Sequence, residues 1–227
     1  VIFSSLGALV AGLGIILLFA YNWHAIPKFV KLGLVFGTLI AAHAVGIRLS
    51  LGHTRFRRLG EGISLLGSML FGAGIWLIAQ IYHIEEHFPN GFMIWGIGTL
   101  LLALALRSTP QAILAAILLN IWCGAEAVEF QQSIFIAPLI LLGSLGPLTY
   151  FKRSGLLLGV LIPATVAALL FPLFSHYCHQ TFVLALVLNI AALLIALSIL
   201  ARDNTRIPSA SDLFGFYGWA TFLVVLF

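Results

Sequence analysis

The chain has 227 residues, of which 62% are hydrophobic and 8% charged, with a mean hydropathy of +1.14. Globular domains are roughly 45–50% apolar and about 25% charged, and a domain of this size has too few core positions to hide the excess. A cytosolic enzyme, a secreted disulfide scaffold and a disordered chain are excluded, which leaves a polytopic membrane protein.

A spanning helix needs about 20 apolar residues. Apolar runs between punctuation residues predict helices over 3–21, 29–49, 60–82, 91–107, 110–125, 133–151, 155–175 and 180–201, with a ninth starting near Asp212. The expected fold is therefore all-α, a transmembrane bundle of eight spans plus a truncated ninth. The runs do not alternate as barrel strands do, and a backbone in lipid must satisfy its own hydrogen bonds, so helices are required. Val1 in place of Met, and an end inside an apolar run at Phe227, read as a piece of a longer chain. The first apolar segment leads into further spans and lacks a small-residue cleavage site, so it does not read as a cleavable signal peptide.

The connections differ in chemistry. Arg48, Arg55, Arg57, Arg58, Arg107, Lys152, Arg153, Arg202 and Arg206 all fall on one side, leaving only Lys28 and Lys31 of the 11 basic residues on the other. The positive-inside rule makes that side cytoplasmic and places the N-terminus there, in a multi-pass protein of the inner membrane. The net charge of +4 and isoelectric point near 9.4 do not call for nucleic acid, because the basic residues stand at span ends. His24, His83, His87, His176 and His179 collect on the outer side, with Glu85, Glu86, Glu126 and Glu129. Tyr21, Trp23, Tyr82, Trp122 and Tyr177 share that level, where amphipathic rings prefer the interface.

Shifting the chain by sixty residues sets Ser4, Leu6, Gly7, Gly12, Gly14, Ile15 and Leu17 on Ser64, Leu66, Gly67, Gly72, Gly74, Ile75 and Leu77. Both segments run outward, so a duplicated helical hairpin is one reading; chance matching of Gly- and Leu-rich spans is the other. Gly60, Ser64, Ser68 and Gly72 form a ridge of small residues, with Gly33/Gly37 and Gly155/Gly159 as shorter examples. Such ridges let helices approach closely.

The stretches "GLGIILLFAYNWHAIP" (12–27), "LFGAGIWLIAQIYHI" (70–84) and "GFMIWGIGTLLLALALRS" (91–108) resemble the bacterial membrane-protein family called domain of unknown function 2157. The motif elements are Asn22-Trp23, Ala79-Gln80-Ile81-Tyr82-His83, Trp95 and Arg107-Ser108. The likeness covers 1–125, a region of five spans; 126–227 reads as further transmembrane helices. It implies a bacterial inner-membrane protein and brings no reaction with it.

His83-Ile84-Glu85-Glu86-His87 matches the H-x-x-E-H pattern of inverted zinc proteases, making His83, Glu86 and His87 weak metal candidates. A span ends there and Phe88-Pro89-Asn90-Gly91 follows as a turn, so an interfacial polar loop is the better reading. Cys123 and Cys178 both fall on the outer side, where a disulfide, a His/Cys metal site and two free thiols all remain open. His43 lies about 6 Å from the middle of its span at 1.5 Å per residue. An intramembrane ionisable group is a functional candidate, with a neutral His bonded to a neighbouring helix as the plainer reading. Glu61, four residues after Arg57, is expected to form a local ion pair. Gln80, Asn120 and Asn189 are read as interhelical hydrogen-bonding groups. Pro138, Pro147, Pro163 and Pro172 interrupt two spans, which in transporters can expose backbone to substrate but is also ordinary in membrane helices.

No cofactor is expected, and the expected partners are the lipid bilayer and a further membrane protein. The leading functional expectation is non-enzymatic handling of a small solute or lipid, or an accessory role in the envelope. A membrane-embedded hydrolase or transferase using outer His, Glu and Cys groups is the alternative. If there is a site, Trp23, His24, Gln80, Tyr82, His83 and at least one of Glu85, Glu86, Glu126 and Glu129 should border a common outward cavity.

Overall fold

The computed structural model describes residues 27–52, 56–84, 87–132, 134–176, 180–202 and 207–226. These form α1 (Lys28–Leu51), α2 (Arg57–Tyr82), α3 (Pro89–Leu106), α4 (Thr109–Glu129), α5 (Ile136–Lys152), α6 (Gly155–His176), α7 (Gln180–Leu200) and α8 (Ala210–Leu226), with no strand among the described residues. Within α1 to α4 and α6 lie five segments long and apolar enough to cross a bilayer, while α5 and Leu186–Leu200 are shorter apolar helices. The span expected at 3–21, with Gly7, Gly12, Gly14, Tyr21 and Asn22, lies outside the described residues, so the duplication has only its second half here.

Local chemistry sets the helix ends. Pro89 and Pro110 occupy first-turn positions, where the missing N–H removes a donor that would have no helical partner. His83, Arg107 and Arg153 close α2, α3 and α5 in the left-handed conformation, with φ of 52°, 49° and 53°. The caps turn the chain back at once: Ile84 N–H donates to Ala79 O, and Ser108 N–H to Ala103 O. Pro147, Pro163 and Pro172 sit inside α5 and α6 without breaking them. The discontinuous helices that a transporter reading would favour are not formed at these prolines.

The small-residue ridge of α2 is buried along its length, at Gly60, Ser64, Ser68 and Gly72. A Cβ added to Gly46 would stand 2.7 Å from Ser64 N, and one on Gly60 would stand 2.7 Å from Gly46 O. The α1 and α2 backbones therefore cross with no room for a side chain. Further along, Gly67 receives the ring of His43 and Gly72 the indole of Trp95. Trp95 Nε1–H donates to Ser68 O at 2.7 Å, fastening α3 to the same ridge. The other small pairs differ: among the described residues nothing stands within 4 Å of a Cβ on Gly33 or Gly37, whereas Gly155 and Gly159 face Ser209 and Leu213.

The centre of the molecule is α4. Ala112, Ala115, Ala116, Leu119 and Cys123 are at most 1% exposed and pack among Leu141, Leu145, Leu157 and Ala168 of α5 and α6. A second cluster, Leu158, Ile162, Leu194, Ile207 and Ala210, joins α6 to the α7–α8 pair. Alternating helix directions give the bundle two chemically distinct ends. Arg48, Arg57, Arg107, Lys152 and Arg153 mark the arginine end; Tyr82, His83, His87 and Glu126 mark the histidine end.

Candidate functional site

At the histidine end the last turn of α4 carries Trp122 and Glu126 on one face, as a spacing of four requires. Glu126 is 3% exposed, although the sequence places it among wet outer groups. Its Oε2 lies 2.8 Å from His87 Nε2, and its Oε1 accepts from Trp122 Nε1–H at 3.3 Å. Both carboxylate oxygens thus have protein partners, which is what burial of such a group demands. The His87 ring also lies against Phe130, centroid to centroid 3.8 Å, and Phe88 packs on the same Phe130.

In front of His87 a cavity of about 810 Å³ opens between α2 and α3. Its wall is apolar, with Trp76 and Ile94 prominent, and its rim carries Gln80, His83, His87 and Asn90. Trp76 is held edge-on against Phe92 at 5.2 Å. Of the outer candidates, Gln80 and His83 border this cavity, Glu126 stands behind it through His87, and Tyr82 and Glu129 are exposed. Trp23, His24, Glu85 and Glu86 lie outside the described residues. So does Cys178; Cys123 is a buried thiol facing the carbonyls of Ile134 and Ala168 at 3.7 and 3.6 Å.

The zinc-protease pattern needs its two histidines on one helical face. Here α2 stops at Tyr82, His83 turns left-handed and His87 precedes α3, so the pattern straddles a loop. Among the described residues no three His, Cys, Asp or Glu side chains gather closely enough to hold a metal ion.

Within the bundle, His43 leans on Gly67, and its Nδ1 is buried with no partner among the described residues. The expected bond to a neighbouring helix is therefore not made at that nitrogen. Asn120, also expected to bond between helices, instead donates to Ala116 O of its own helix at 2.9 Å. Its Oδ1 is buried with no partner among the described residues, beside a groove of about 690 Å³ between α4, α6 and α8, where Tyr217 O–H donates to Gly159 O at 2.7 Å. Asn189 is exposed on α7.

The arginine end is arranged differently. Arg57 and Glu61 form the expected ion pair at 3.4 Å, with 59% and 27% of their side chains exposed. They border a smaller cavity of about 360 Å³ with Ser50, Ser64, Leu106 and Ser108. Gln111 donates to Ser64 Oγ at 3.3 Å from a fully buried position, and its Oε1 has no partner among the described residues. The same is true of Ser50 Oγ and Ser108 Oγ. Each such group costs about 1–3 kcal/mol if it stays unmet. Lys152 closes the side of this end, donating to Arg107 O at 2.6 Å and Thr109 Oγ1 at 2.7 Å. Ser50 and Gln111 did not stand out in the sequence, and Ser64 and Ser108 did so only as a ridge residue and a motif residue. The available signal was the spacing of Ser64 on the ridge and a Gln in the first turn of an otherwise apolar helix.

Residues 1–112 match the model of a family described as a predicted membrane protein, DUF2157. The matched part takes in α1, α2, α3 and the first turn of α4, and with them the histidine-end cavity and every residue named around the arginine-end cavity. No curated protein and no solved structure matches the chain.

Proposed function

We propose that this membrane protein acts without catalysis, holding an amphipathic small molecule, a lipid or a solute with an apolar part, at its histidine end. The observation that carries this reading is the cavity between α2 and α3, about 810 Å³, with an apolar wall at Trp76 and Ile94 and a polar rim at Gln80, His83, His87 and Asn90. Ligand pockets run to roughly 300–1,000 Å³ and combine mostly apolar lining with a few convergent polar groups. The His87–Glu126–Trp122 chain serves as a fixed support for the rim, because both carboxylate oxygens are engaged within the protein. An amphipathic ligand would bury its apolar part on Trp76 and leave its polar group to His83, Gln80 and Asn90.

In this reading the chain has eight spans plus a ninth in part, lies in the inner membrane, and keeps its arginine end cytoplasmic. A cysteine placed at Ser154 should resist an impermeant thiol reagent in intact cells and one at Asn90 should label, with Cys123 and Cys178 replaced first. The opposite pattern reverses the orientation.

Native mass spectrometry of the detergent-purified chain tests the function. Wild type should retain an amphipathic adduct that Trp76→Ala loses, by about tenfold for a buried aromatic worth at least 1.4 kcal/mol. Equal adducts on both proteins would refute the cavity as a site. Stoichiometric zinc in place of an organic adduct would transfer support to a membrane hydrolase.

A further inference from the structure

The arginine-end cavity offers both charges and an excess of unmet hydrogen-bonding groups. Arg57 and Glu61 line it together, so a simple anion would meet the carboxylate and a simple cation the guanidinium. Their own bond is a loose one at 3.4 Å with Arg57 mostly exposed, and such pairs hold each other weakly. Either member is free to turn to a ligand. Ser108 is 2% exposed, borders the cavity and has an Oγ without a partner among the described residues. It is the N-cap of α4, yet its side chain does not cap the helix, the usual use of a serine there. Ser50 Oγ, contributed by α1, is likewise buried with no partner among the described residues. Behind Ser64 the amide of Gln111 fixes that hydroxyl as an acceptor, which leaves the Ser64 O–H itself directed elsewhere. Lys152, whose Nζ donates to Arg107 O and Thr109 Oγ1 on either side of Ser108, adds a second positive charge near the rim.

We propose that this cleft between α1, α2 and the α3–α4 turn binds a headgroup-sized zwitterion, an aminophosphate whose phosphate meets Arg57, Ser50 and Ser108 while its ammonium meets Glu61. A volume of about 360 Å³ has room for such a group. Serine hydroxyls and a guanidinium are strong partners for phosphate oxygens, and a carboxylate for an ammonium. The site is separate from the histidine-end cavity, at the opposite end of α2, and recognises by hydrogen bonds and charge where the other relies on apolar burial. The same chemistry has two sources, the headgroup of an aminophospholipid and a free aminophosphate.

The full chain, purified in detergent, is offered phosphatidylethanolamine and phosphatidylglycerol of matched acyl chains, and adducts are read by native mass spectrometry. A parallel titration uses soluble O-phosphoethanolamine. Preferential retention of phosphatidylethanolamine, cut about tenfold by Glu61→Gln and by Ser108→Ala, assigns the site to the lipid headgroup. Saturable binding of O-phosphoethanolamine with no lipid preference, lost in the same variants, assigns it to the soluble aminophosphate. Each variant must elute as wild type on size exclusion. Equal retention of both lipids with no soluble binding overturns the proposal. So does a preference that survives both Glu61→Gln and Ser108→Ala.

Discussion

The two ends of the bundle bury polar groups in opposite ways. At the histidine end, Glu126 is nearly inaccessible but has His87 on one oxygen and Trp122 on the other. At the arginine end, Ser50, Ser108 and Gln111 carry buried atoms with no partner among the described residues, around a cavity between charged side chains. A saturated network rigidifies its surroundings, whereas a half-satisfied one is unfavourable until something completes it. The contrast separates support from recognition: the His87–Glu126–Trp122 chain holds a wall in place, and the serines wait on a ligand. Both arrangements depend on how tightly α2 packs, since its ridge sets the crossing with α1 at one end and seats Trp95 nearer the other.

Forcing the helices apart should give the largest effect. Gly60→Val puts a branched side chain where even a Cβ would stand 2.5 Å from Ser50 N. Overpacking of this kind costs about 3 kcal/mol or more when backbone must move. Gly62→Val, where nothing stands within 4 Å, is the matched control. Equal unfolding midpoints for the two variants in a denaturing-detergent titration would show that the α1–α2 crossing is not so close.

Next comes the support at the histidine end. Glu126→Ala leaves Trp122 Nε1–H buried without an acceptor and should cost about 2–3 kcal/mol. Glu129→Ala, at an exposed position three residues on, should change stability by no more than about 0.5 kcal/mol. A small loss for both would place Glu126 in water and dissolve the contrast between the ends.

Smallest of all should be the effect of Gln111→Leu on stability. It removes a buried amide that is only half satisfied, and replacing such a group with an apolar one of similar volume is close to neutral, within about 1 kcal/mol. The same variant frees Ser64 from its donor and should weaken aminophosphate retention. A loss of stability comparable to that of Glu126→Ala would mean that Gln111 is structural and the two ends are alike.

Helix positions were legible in the sequence because punctuation brackets the apolar runs. The expected 60–82 and 155–175 became Arg57–Tyr82 and Gly155–His176, while the helix expected from 91 starts within the expected turn, at Pro89, and the one expected from 110 starts at Thr109. The Arg57–Glu61 pair was legible for the same local reason, a spacing of four on one helix. Side-chain direction was not. A helix that is apolar all round has no amphipathic face to orient it, so the sequence could not tell that Asn120 bonds within α4 or that Glu126 turns inward. Nor could it distinguish a proline that breaks a span from Pro147 and Pro163, whose helices continue through them. The arginine-end cavity was hidden because it is assembled from the ends of α1 and α2 and the turn before α4, and the one motif among them, Arg107-Ser108, does not reveal what it faces.

The most direct measurement is an experimental density map of the full chain in nanodiscs containing phosphatidylethanolamine, at a resolution that shows side-chain rotamers. Non-protein density within hydrogen-bonding distance of Ser108 Oγ and Arg57 is the predicted result, with His87, Glu126 and Trp122 in direct contact and nothing between them. Ser108 bonded to protein in a closed cleft, or a ligand wedged between His87 and Glu126, would contradict the contrast between a saturated polar network at one end and an open one at the other.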